Sequence, residues 1–579
     1  MRKLAATALA IICATNPIMA ENKDVTIRMV ATSDVHGSFF PYDFIERKPM
    51  GGSLTRVSSY VKELRKQYGK NLILLENGDI LQGQPTCYYS NYVKPELPNA
   101  AAMAVNYMGY DVQTIGNHDV ETGHAVYDKW IGELKCPTIG ANVIDTKTGE
   151  PYLTPYIILE REGVRIAILG MITPAIPYWL SESLWSGLRF DDMTSCARKW
   201  VRHIKEVEKA DVVVGLFHSG WNGGISTLHY NEDAVEAVAT TVDGFDVIFF
   251  GHDHNKRKAL VKSASGNDVL CLDPSCNAMY VADATLKLTL ADGKMVGKKI
   301  EGNIVSVVDR AEDNDFNTYM QSVRDSVDNY VNRKLGTITK TIKTSDSFFG
   351  CSEFNDFIHE VQLSVTGADI SFTAPLTFDA KIEKGDIYMS DMFKLYRYEN
   401  DIYMMKMRGK EIRKHLEMSY NQWVNTMTSP DDHIMLLSDS TQYDKQKCGF
   451  KNLTFNFDCA AGIDYEVDVT KPDGQKVRIL RMSNGEPFVE DKWYRVAMNS
   501  YRSNGGGELL TRGAGIPASE LESRIMWRSE RDQRYYLTKE IERRQVVTPK
   551  LFNNWKFVPE EWTKAAIERD RKLLFEESR

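Results

Sequence analysis

The sequence predicts a protein of two α/β domains joined by a helix. Its 579 residues are too many for one hydrophobic core, so two folded units are expected. The first half repeats a short apolar run, a turn and a helical stretch, which is typical of a layered α/β core. After one amphipathic stretch the pattern of predicted strands and helices changes. This change favours a second α/β or α+β domain from about residue 340.

In the first half, six apolar runs predict strands and two stretches with helical spacing lie between them. The predicted strands are 25–31, 71–75, 112–115, 164–169, 211–217 and 246–250, and the helices are 54–68 and 100–108. Residues 313–334 place apolar side chains at intervals of three and four, which predicts a single connecting helix. In the second half, strands are predicted at 369–374, 403–407, 465–469, 477–482 and 493–499, and a helix at 410–423.

The N-terminus has the features of a cleaved secretory signal over residues 1–20. Arg2 and Lys3 precede an apolar stretch, and Ile18-Met19-Ala20 offers a cleavage site. Cys13 raises a lipoprotein alternative, but Ile11-Ile12 before it lacks the small residues of a lipid-attachment site. No later segment approaches the roughly 18 apolar residues of a membrane span, so a periplasmic or secreted protein is expected.

Loss of the two basic residues of the signal takes the formal net charge from -8 to -10. So acidic a chain disfavours binding to a nucleic acid polymer, since such binding depends on neutralising many phosphates, but permits a small anionic substrate at a local positive centre. An exported setting also permits disulfides, and Cys271 with Cys276, or Cys448 with Cys459, are close enough in sequence to pair. The absence of any Cys-x-x-Cys argues against a structural zinc site built on thiolates.

Five short polar motifs follow directly on apolar runs, at the strand ends where α/β sheets bind ligands. They are Asp34-Val35-His36, Gly78-Asp79, Gly116-Asn117-His118-Asp119, His218 and Gly251-His252-Asp253-His254. Each alone is weak evidence, because an Asp at a strand end is commonly a turn or a helix cap. Together they hold five of the eleven histidines, and carboxylate, imidazole and amide donors suit zinc, manganese, iron or cobalt.

This motif series resembles the calcineurin-type metallophosphoesterases, and with the second domain it resembles the 5′-nucleotidases and the 2′,3′-cyclic-nucleotide 2′-phosphodiesterase/3′-nucleotidases. The resemblance implies a metallophosphoesterase β-sandwich flanked by helices at 21–308, a linker helix at 309–338 and an α+β nucleotidase domain at 339–565. It also implies two divalent metal ions. One would be held by Asp34, His36, Asp79 and His254, and the other by Asp79, Asn117, His218 and His252.

Two divalent cations held by two carboxylates would leave a local charge of about +2, which attracts phosphate. The expected chemistry is attack on phosphorus by a hydroxide that the metals share. His118 is predicted to protonate or hydrogen-bond the leaving oxygen while Asp119 orients its ring; the alternative is that His118 only supports a ligand.

By the same resemblance, Tyr398 and Tyr501 would stack on the two faces of a nucleotide base. The plain alternative is half-buried packing, since the chain has 27 tyrosines. The family's arginine is absent from Thr373-Ala374-Pro375-Leu376-Thr377-Phe378, and Gly507 stands where 5′-nucleotidases usually have Asp.

These departures, with Tyr501-Arg502 and Tyr398-Glu399-Asn400, resemble the cyclic phosphodiesterase/3′-nucleotidase branch of the family. The resemblance therefore implies 2′,3′-cyclic nucleotides and 3′-nucleotides as substrates. The alternatives are a 5′-nucleotidase, a hydrolase of nucleotide-sugars or of another phosphorus- or sulfur-centred ester, and a non-catalytic nucleotide-binding protein.

Overall fold

The N-terminal domain is a sandwich of two six-stranded sheets. The computed structural model describes residues 22–438 and 448–576. In spatial order the first sheet contains Lys294–Ser306, Tyr280–Ala291, Lys23–Thr32, Leu72–Glu76, Val112–Thr114 and Thr138–Ile139. The second contains Lys256–Lys262, Asp268–Pro274, Val247–Phe250, Val212–His218, Val164–Ile172 and Tyr156–Arg161. All six strands predicted in this half are present, to within a few residues at their ends.

Alternate residues of the central strands face two different cores, which explains why these strands are continuous apolar runs. Met29 and Ile73 point between the sheets, where they meet Ile168 and Leu216 of the second sheet. The residues between them, such as Leu74, point outward to the helices. Helices Leu54–Tyr68, Ala100–Met108 and His124–Glu133 cover the first sheet, and Met193–His203 and Val235–Thr241 cover the second. The predicted sandwich flanked by helices is confirmed.

The central strands of both sheets are parallel, and their carboxyl ends point to the same edge of the sandwich. Lys23–Thr32, Leu72–Glu76 and Val112–Thr114 run parallel in the first sheet. Val164–Ile172, Val212–His218 and Val247–Phe250 do so in the second. The polar motifs follow directly on five of these six strands, so the fold gathers segments that are up to about 220 residues apart.

The predicted single linker helix is wrong, because the segment forms two helices, Asn314–Tyr319 and Gln321–Val331. They meet at Met320, whose ψ of 3° breaks the helix and whose side chain is completely buried in the core of the first domain. The predicted linker, 309–338, also overlaps the strand Lys334–Ile338. That strand pairs with Gly385–Tyr388 and Val546–Val547 and so belongs to the second domain.

The second domain is of the α+β type. Its main sheet contains, in spatial order, Cys459–Ala461, Ile370–Thr373, Trp493–Asn499, Asp401–Arg408 and Ile525–Asp532. A smaller sheet contains Val477–Met482, Ile463–Asp468 and Trp555–Val558. The main helices are Glu353–Thr366, Met389–Leu395, Gly409–Trp423, Ala518–Arg524, Gln533–Arg544 and Glu560–Phe575. The last of these extends beyond the predicted domain end at 565.

The predicted signal sequence, 1–20, lies outside the described residues. Among the described helices, none has the length and apolar character needed to cross a membrane. Cys271 and Cys276 are not joined by a disulfide, and the thiol of Cys459 lies against Asn355 and His359 rather than another cysteine. Neither of the two pairings that the spacing allowed is present in the described structure.

Candidate metal centre and active site

Five of the predicted metal ligands have backbone conformations that side chains rarely adopt. The φ angles of Asp34, His36, Asp79, His252 and His254 lie between +48° and +78°, in the left-handed region. Such strain persists where the surrounding structure enforces it, and it clusters at functional sites. Here it turns each chain sharply after its strand, so that the side chain points across the edge of the sandwich.

Glycines beside these residues allow close approach of the neighbouring segments. A Cβ on Gly116 would lie 2.1 Å from Oδ1 of Asp79, and one on Gly251 would lie 2.3 Å from Oδ2 of Asp34. Any larger residue at either position would displace a carboxylate of the site.

Asp34, His36 and His254 form a first group of donors, whose ligand atoms lie within 4.8 Å of one another. The two Nε2 atoms of His36 and His254 are 3.0 Å apart, and Asp34 Oδ1 is 3.4 Å from His254 Nε2. His36 Nδ1 donates to the carbonyl of Gln82 at 3.0 Å, which fixes its proton on Nδ1 and leaves a lone pair on Nε2.

Asp79, His218 and His252 form a second group within 4.8 Å. His218 Nε2 lies 3.1 Å from Asp79 Oδ2 and 3.2 Å from Asn117 Oδ1, while its Nδ1 donates to the carbonyl of Asn77 at 2.7 Å. His252 Nδ1 is buried and has no hydrogen-bond partner within the described part of the chain. All seven predicted donors are thus brought to one edge, and their assignment as ligands stays a prediction.

The donor set fits two divalent cations. It combines carboxylate and amide oxygens with imidazole nitrogens. Nε2 of His36 and of His218 faces the other donors of its group, and Nδ1 of His252 is unpaired within the described ranges. These are the ligands that zinc, manganese, iron and cobalt accept in proteins. Backbone carbonyls that hold the far side of each imidazole are typical of metal-binding histidines.

The electrostatics of these groups reflect charged side chains that are buried close together. Burial and the neighbouring His254 lower the pKa of His36 to about 3. Burial alone would lower the pKa of His218, but the carboxylates of Asp79 and Asp34 outweigh it and raise that pKa to about 9. The carboxylates therefore draw positive charge to this edge, and in the apoprotein a protonated histidine supplies it.

His118 lies beside both donor groups, and its ring is oriented by Glu121. His118 Nδ1 lies 2.5 Å from Glu121 Oε2, and the ring centroid lies 5.5 Å from that of His36. Burial opposes protonation of His118, but the charges of Asp79 and Glu121 raise its pKa to about 9. Cations bound by Asp79 would act in the opposite direction, because they cancel its charge.

Asp119 does not contact the ring of His118, and the predicted orienting role for it is wrong. Its Oδ1 accepts from the backbone N–H groups of Ile80 and Leu81, and its Oδ2 from those of Asp79 and Gly116, at 2.8 to 3.0 Å. The carboxylate therefore fixes the turn that presents Asp79. Glu121 was missed, although its position three residues after His118 on a helical turn was the signal that could have found it.

Replacing Asp119 by Asn is expected to lower the free energy of unfolding by about 2–5 kcal/mol, because an amide has one acceptor oxygen for four buried N–H groups. Urea unfolding of the metal-stripped protein measures this. Glu121→Gln is the matched control, since Glu121 contacts the ring but caps no backbone donor at this turn, and we expect it to affect turnover more than stability. Unchanged stability of Asp119→Asn with an altered pH profile of turnover would restore the orienting role.

Two further residues at the metal centre were not predicted. Glu232, on the hairpin that ends in Asn231–Asp233, places Oε1 3.1 Å from His252 Nε2. The indole ring of Trp179 lies 5.7 Å from the ring of His252. Glu232 holds Nε2 of His252, and Nδ1 is left without a hydrogen-bond partner among the described residues. Nothing near Glu232 in the sequence marks it, because the hairpin reaches the site only in the folded protein.

The second domain places both predicted base-stacking tyrosines near this edge. Tyr501 packs directly on the loop that follows it, where a Cβ on Gly506 would lie 2.5 Å from its ring. Burial raises the pKa of Tyr501 to about 12, with smaller contributions from Tyr398 and from Glu232 of the first domain. Tyr501 is therefore close enough to both Tyr398 and Glu232 for their charges to act on it. Their role in stacking stays a prediction.

Direct contacts join the two domains. Tyr178 Oη donates to Glu508 Oε1 at 2.9 Å, and Lys394 Nζ lies 3.2 Å from Glu46 Oε2. Because Glu508 follows the glycine loop, the first contact fixes the loop next to Tyr501 relative to the metal centre.

Comparisons with known proteins agree with this division. Residues 27–256 match the family model for the calcineurin-like phosphoesterases, and residues 334–512 match that for the 5′-nucleotidase C-terminal domain. The chain is 27% identical to a 2′,3′-cyclic-nucleotide 2′-phosphodiesterase/3′-nucleotidase of Haemophilus influenzae, over 96% of this chain and 91% of that protein. It is also 27% identical to the trifunctional nucleotide phosphoesterase protein YfkN of Bacillus subtilis, over 97% of this chain but 41% of that protein.

Solved structures with the same fold span both domains. A 5′-nucleotidase structure from Staphylococcus aureus has a TM-score of 0.76 at 20% identity and covers 92% of this chain and 100% of its own. A 5′-nucleotidase precursor from Thermus thermophilus has a TM-score of 0.63 at 20% identity and covers 93% and 100%. With both domains matched and the fold shared, the chain belongs to the calcineurin-like phosphoesterases that carry a 5′-nucleotidase C-terminal domain, which are hydrolases acting on phosphoester bonds.

Proposed function

We propose that this protein hydrolyses nucleotide phosphate esters with two divalent cations, and that its substrates are 2′,3′-cyclic nucleotides and 3′-nucleotides. The observation that carries the proposal is the convergence of seven metal-donor side chains on one edge of the first domain. Relatives named for this double activity, which match more than nine tenths of both chains, support the choice.

In this proposal Asp34, His36 and His254 would hold one cation, Asn117, His218 and His252 would hold the other, and Asp79 would serve both. When bound, such a pair neutralises phosphoryl oxygens and lowers the pKa of water. The protein's own contribution is to preset the ligands, because the carbonyls of Gln82 and Asn77 and the carboxylate of Glu232 fix the imidazoles.

His118 is proposed to donate a proton to the leaving oxygen. With Nδ1 bound to Glu121, only Nε2 is available to a substrate, and a quarter of the side chain remains exposed. A leaving sugar oxygen is a poor leaving group without a proton, so a positioned donor accelerates its departure.

The preference for 3′- and cyclic nucleotides rests on departures from the 5′-nucleotidase pattern. Residues 373–378 hold no arginine, and Gly507 has no side chain to contact a sugar. The decisive assay is metal-stripped protein reloaded with single metals and tested on 3′-AMP, 5′-AMP and 2′,3′-cyclic AMP. A preference for 5′-AMP would overturn the substrate assignment, and no turnover with any metal would overturn the whole proposal.

Replacing both Tyr398 and Tyr501 by Ala is expected to raise KM for 3′-AMP by about tenfold or more, because stacking on an aromatic ring contributes roughly 1–3 kcal/mol per base. The substrate control is p-nitrophenyl phosphate, which has no base, and its KM should change little. Equal increases for both substrates would mean that the tyrosines pack the domain and do not bind the base.

We also propose that the protein is exported, as the basic start, apolar run and Ala20 suggest. The N-terminus of protein from the producing cells, determined by mass spectrometry, tests this: Glu21 as the first residue supports cleavage, and Met1 contradicts it.

A further inference from the structure

A buried arginine next to Tyr501 joins the two segments that contact the ring of that tyrosine. Arg502 is only 2% exposed. It donates from Nη1 to the carbonyl of Gly506 and from Nη2 to that of Phe455, the latter at 3.0 Å. The ring of Phe455 meets the Tyr501 ring edge-on, with 6.0 Å between the centroids. Arg502 therefore holds both the residue behind the ring and the residue beside it.

The backbone of Gly506 covers one face of the Tyr501 ring. A Cβ on Gly506 would lie 2.5 to 2.6 Å from three adjacent ring carbons, and near-equal distances of this kind place it over the ring face rather than at its edge. Tyr501 is only partly buried, so some of the ring stays accessible. A base can then stack only on the face opposite Gly506, and the position of Gly506 decides how that face is presented.

Arg502 is itself fixed from the core of the second domain. Its Nε donates to Oδ2 of Asp458 at 2.8 Å and its Nη2 to Oδ1 at 3.0 Å, and both side chains are buried. Asp458 also accepts from Nε2 of His415 at 2.8 Å, and the ring of His415 stacks on Phe372 at 4.3 Å. Phe372 lies in the strand Ile370–Thr373 of the main sheet. Bidentate pairs of this kind fix geometry as well as charge, so the guanidinium is held rigidly against the sheet.

The same guanidinium explains why residue 507 has no side chain. Gly507 has a φ of +69°, and a Cβ there would lie 2.1 Å from Oδ1 of Asn456 and 2.5 Å from Nη1 of Arg502. Asn456 Oδ1 accepts from that Nη1 at 3.3 Å. The space that a side chain at 507 would fill is therefore occupied by the contact between Arg502 and Asn456. Gly507 and Arg502 belong to one arrangement.

We propose that Arg502 is a positioning residue of the base site, which holds the ring of Tyr501 in the orientation for stacking without contacting the nucleotide; this rests on the proposed function. An arginine beside a nucleotide site could instead bind phosphate or sugar. Each of the five N–H groups of Arg502, however, already donates to a protein acceptor. A ring that is held before the base arrives loses little freedom on binding, which favours affinity.

Arg502→Lys is the first test, because lysine keeps the charge that Asp458 needs but has three donors in place of five. We expect KM for 3′-AMP to rise about fivefold or more as stacking is partly lost, with little change in kcat or in KM for p-nitrophenyl phosphate. Arg524→Lys is the matched control, since Arg524 is a buried arginine of the same domain that pairs with Glu411 at 2.7 Å and Glu520 at 2.9 Å. It should lower Tm and leave KM for 3′-AMP unchanged. If both variants lower Tm and neither raises that KM, Arg502 only stabilises the domain and the proposal is wrong.

A second pair of variants leaves the pair of Arg502 and Asp458 in the sequence. Gly507→Ala forces Nη1 of Arg502 away from its place. Gly515→Ala is the control, because Gly515 has a similar φ of +76° but no described atom lies within 4 Å of the added Cβ. Both variants carry the strain of alanine in the left-handed region, so the difference between them reports the contact with Arg502. KM for 3′-AMP should rise only in Gly507→Ala, and equal KM values in the two variants contradict the proposal.

Calorimetric binding of adenosine to the metal-stripped protein separates this inference from the proposed function. Binding that is about fivefold or more weaker in Arg502→Lys, but unchanged in Arg524→Lys, supports the positioning role even if no phosphate ester is turned over. Equal affinities of the wild type and Arg502→Lys, or no binding of adenosine to the wild type, overturn it even if 3′-AMP is hydrolysed. In that case the nucleotidase assignment stands and only the role of Arg502 is removed.

Discussion

Replacement of Asp79 by Asn is expected to reduce phosphoester hydrolysis by roughly three orders of magnitude or more and to reduce bound metal below two ions per chain. The carboxylate is buried, 3.1 Å from His218 Nε2 through Oδ2, and it receives the backbone N–H of His118 at 2.8 Å through Oδ1. An amide of the same size removes the negative charge shared by both proposed sites. The several kcal/mol that metal ions contribute to the transition state would disappear with it.

Metal content by mass spectrometry and turnover of 3′-AMP, measured on the same preparation, check this result. Asp128→Asn serves as the control, because Asp128 belongs to the same domain but contacts only His124 and Tyr152 among the residues described around it. It should retain two ions and full activity. An Asp79→Asn protein that still binds two ions and turns over normally would refute the proposed centre.

His118→Asn is expected to lower kcat for 3′-AMP by about 10²- to 10⁴-fold, the usual contribution of a positioned proton donor. The loss should be far smaller for p-nitrophenyl phosphate, whose leaving group departs without protonation. Metal content should remain at two ions, because His118 is not among the predicted ligands. Steady-state kinetics with both substrates at saturating metal separate the two effects.

If His118 instead supports a ligand, His118→Asn will lose metal and will slow both substrates to the same degree. Glu121→Gln is the companion variant. It keeps a side chain of the same size next to Nδ1 but removes the charge that favours the protonated ring. We expect it to show the same dependence on leaving group as His118→Asn, with a smaller loss.

Local sequence patterns were sufficient to predict most of the helices and strands that were assigned from the sequence. The helices Leu54–Tyr68 and Ala100–Met108 were predicted to the residue, since their apolar spacing and the glycine after each are local features. The prediction of a single helix at 313–334 was wrong because the three- and four-residue spacing of apolar side chains continues through Met320. Only the burial of Met320 against the first domain shows why the chain bends there.

The sequence by itself determined the two-domain α/β organisation and which residues can serve as metal donors. Both signals, the spacing of apolar residues in a strand and a polar motif at its end, occupy only a few consecutive residues. Tertiary structure decided what those residues touch. In the folded protein Asp119 binds backbone N–H groups of a turn, and Glu121 contacts the ring of His118. Glu232 contacts the ring of His252, and Arg534 donates to Glu399, which lies 135 residues earlier in the chain. Such contacts join segments that are distant in sequence, and their geometry exists only once the sheets and the two domains have packed.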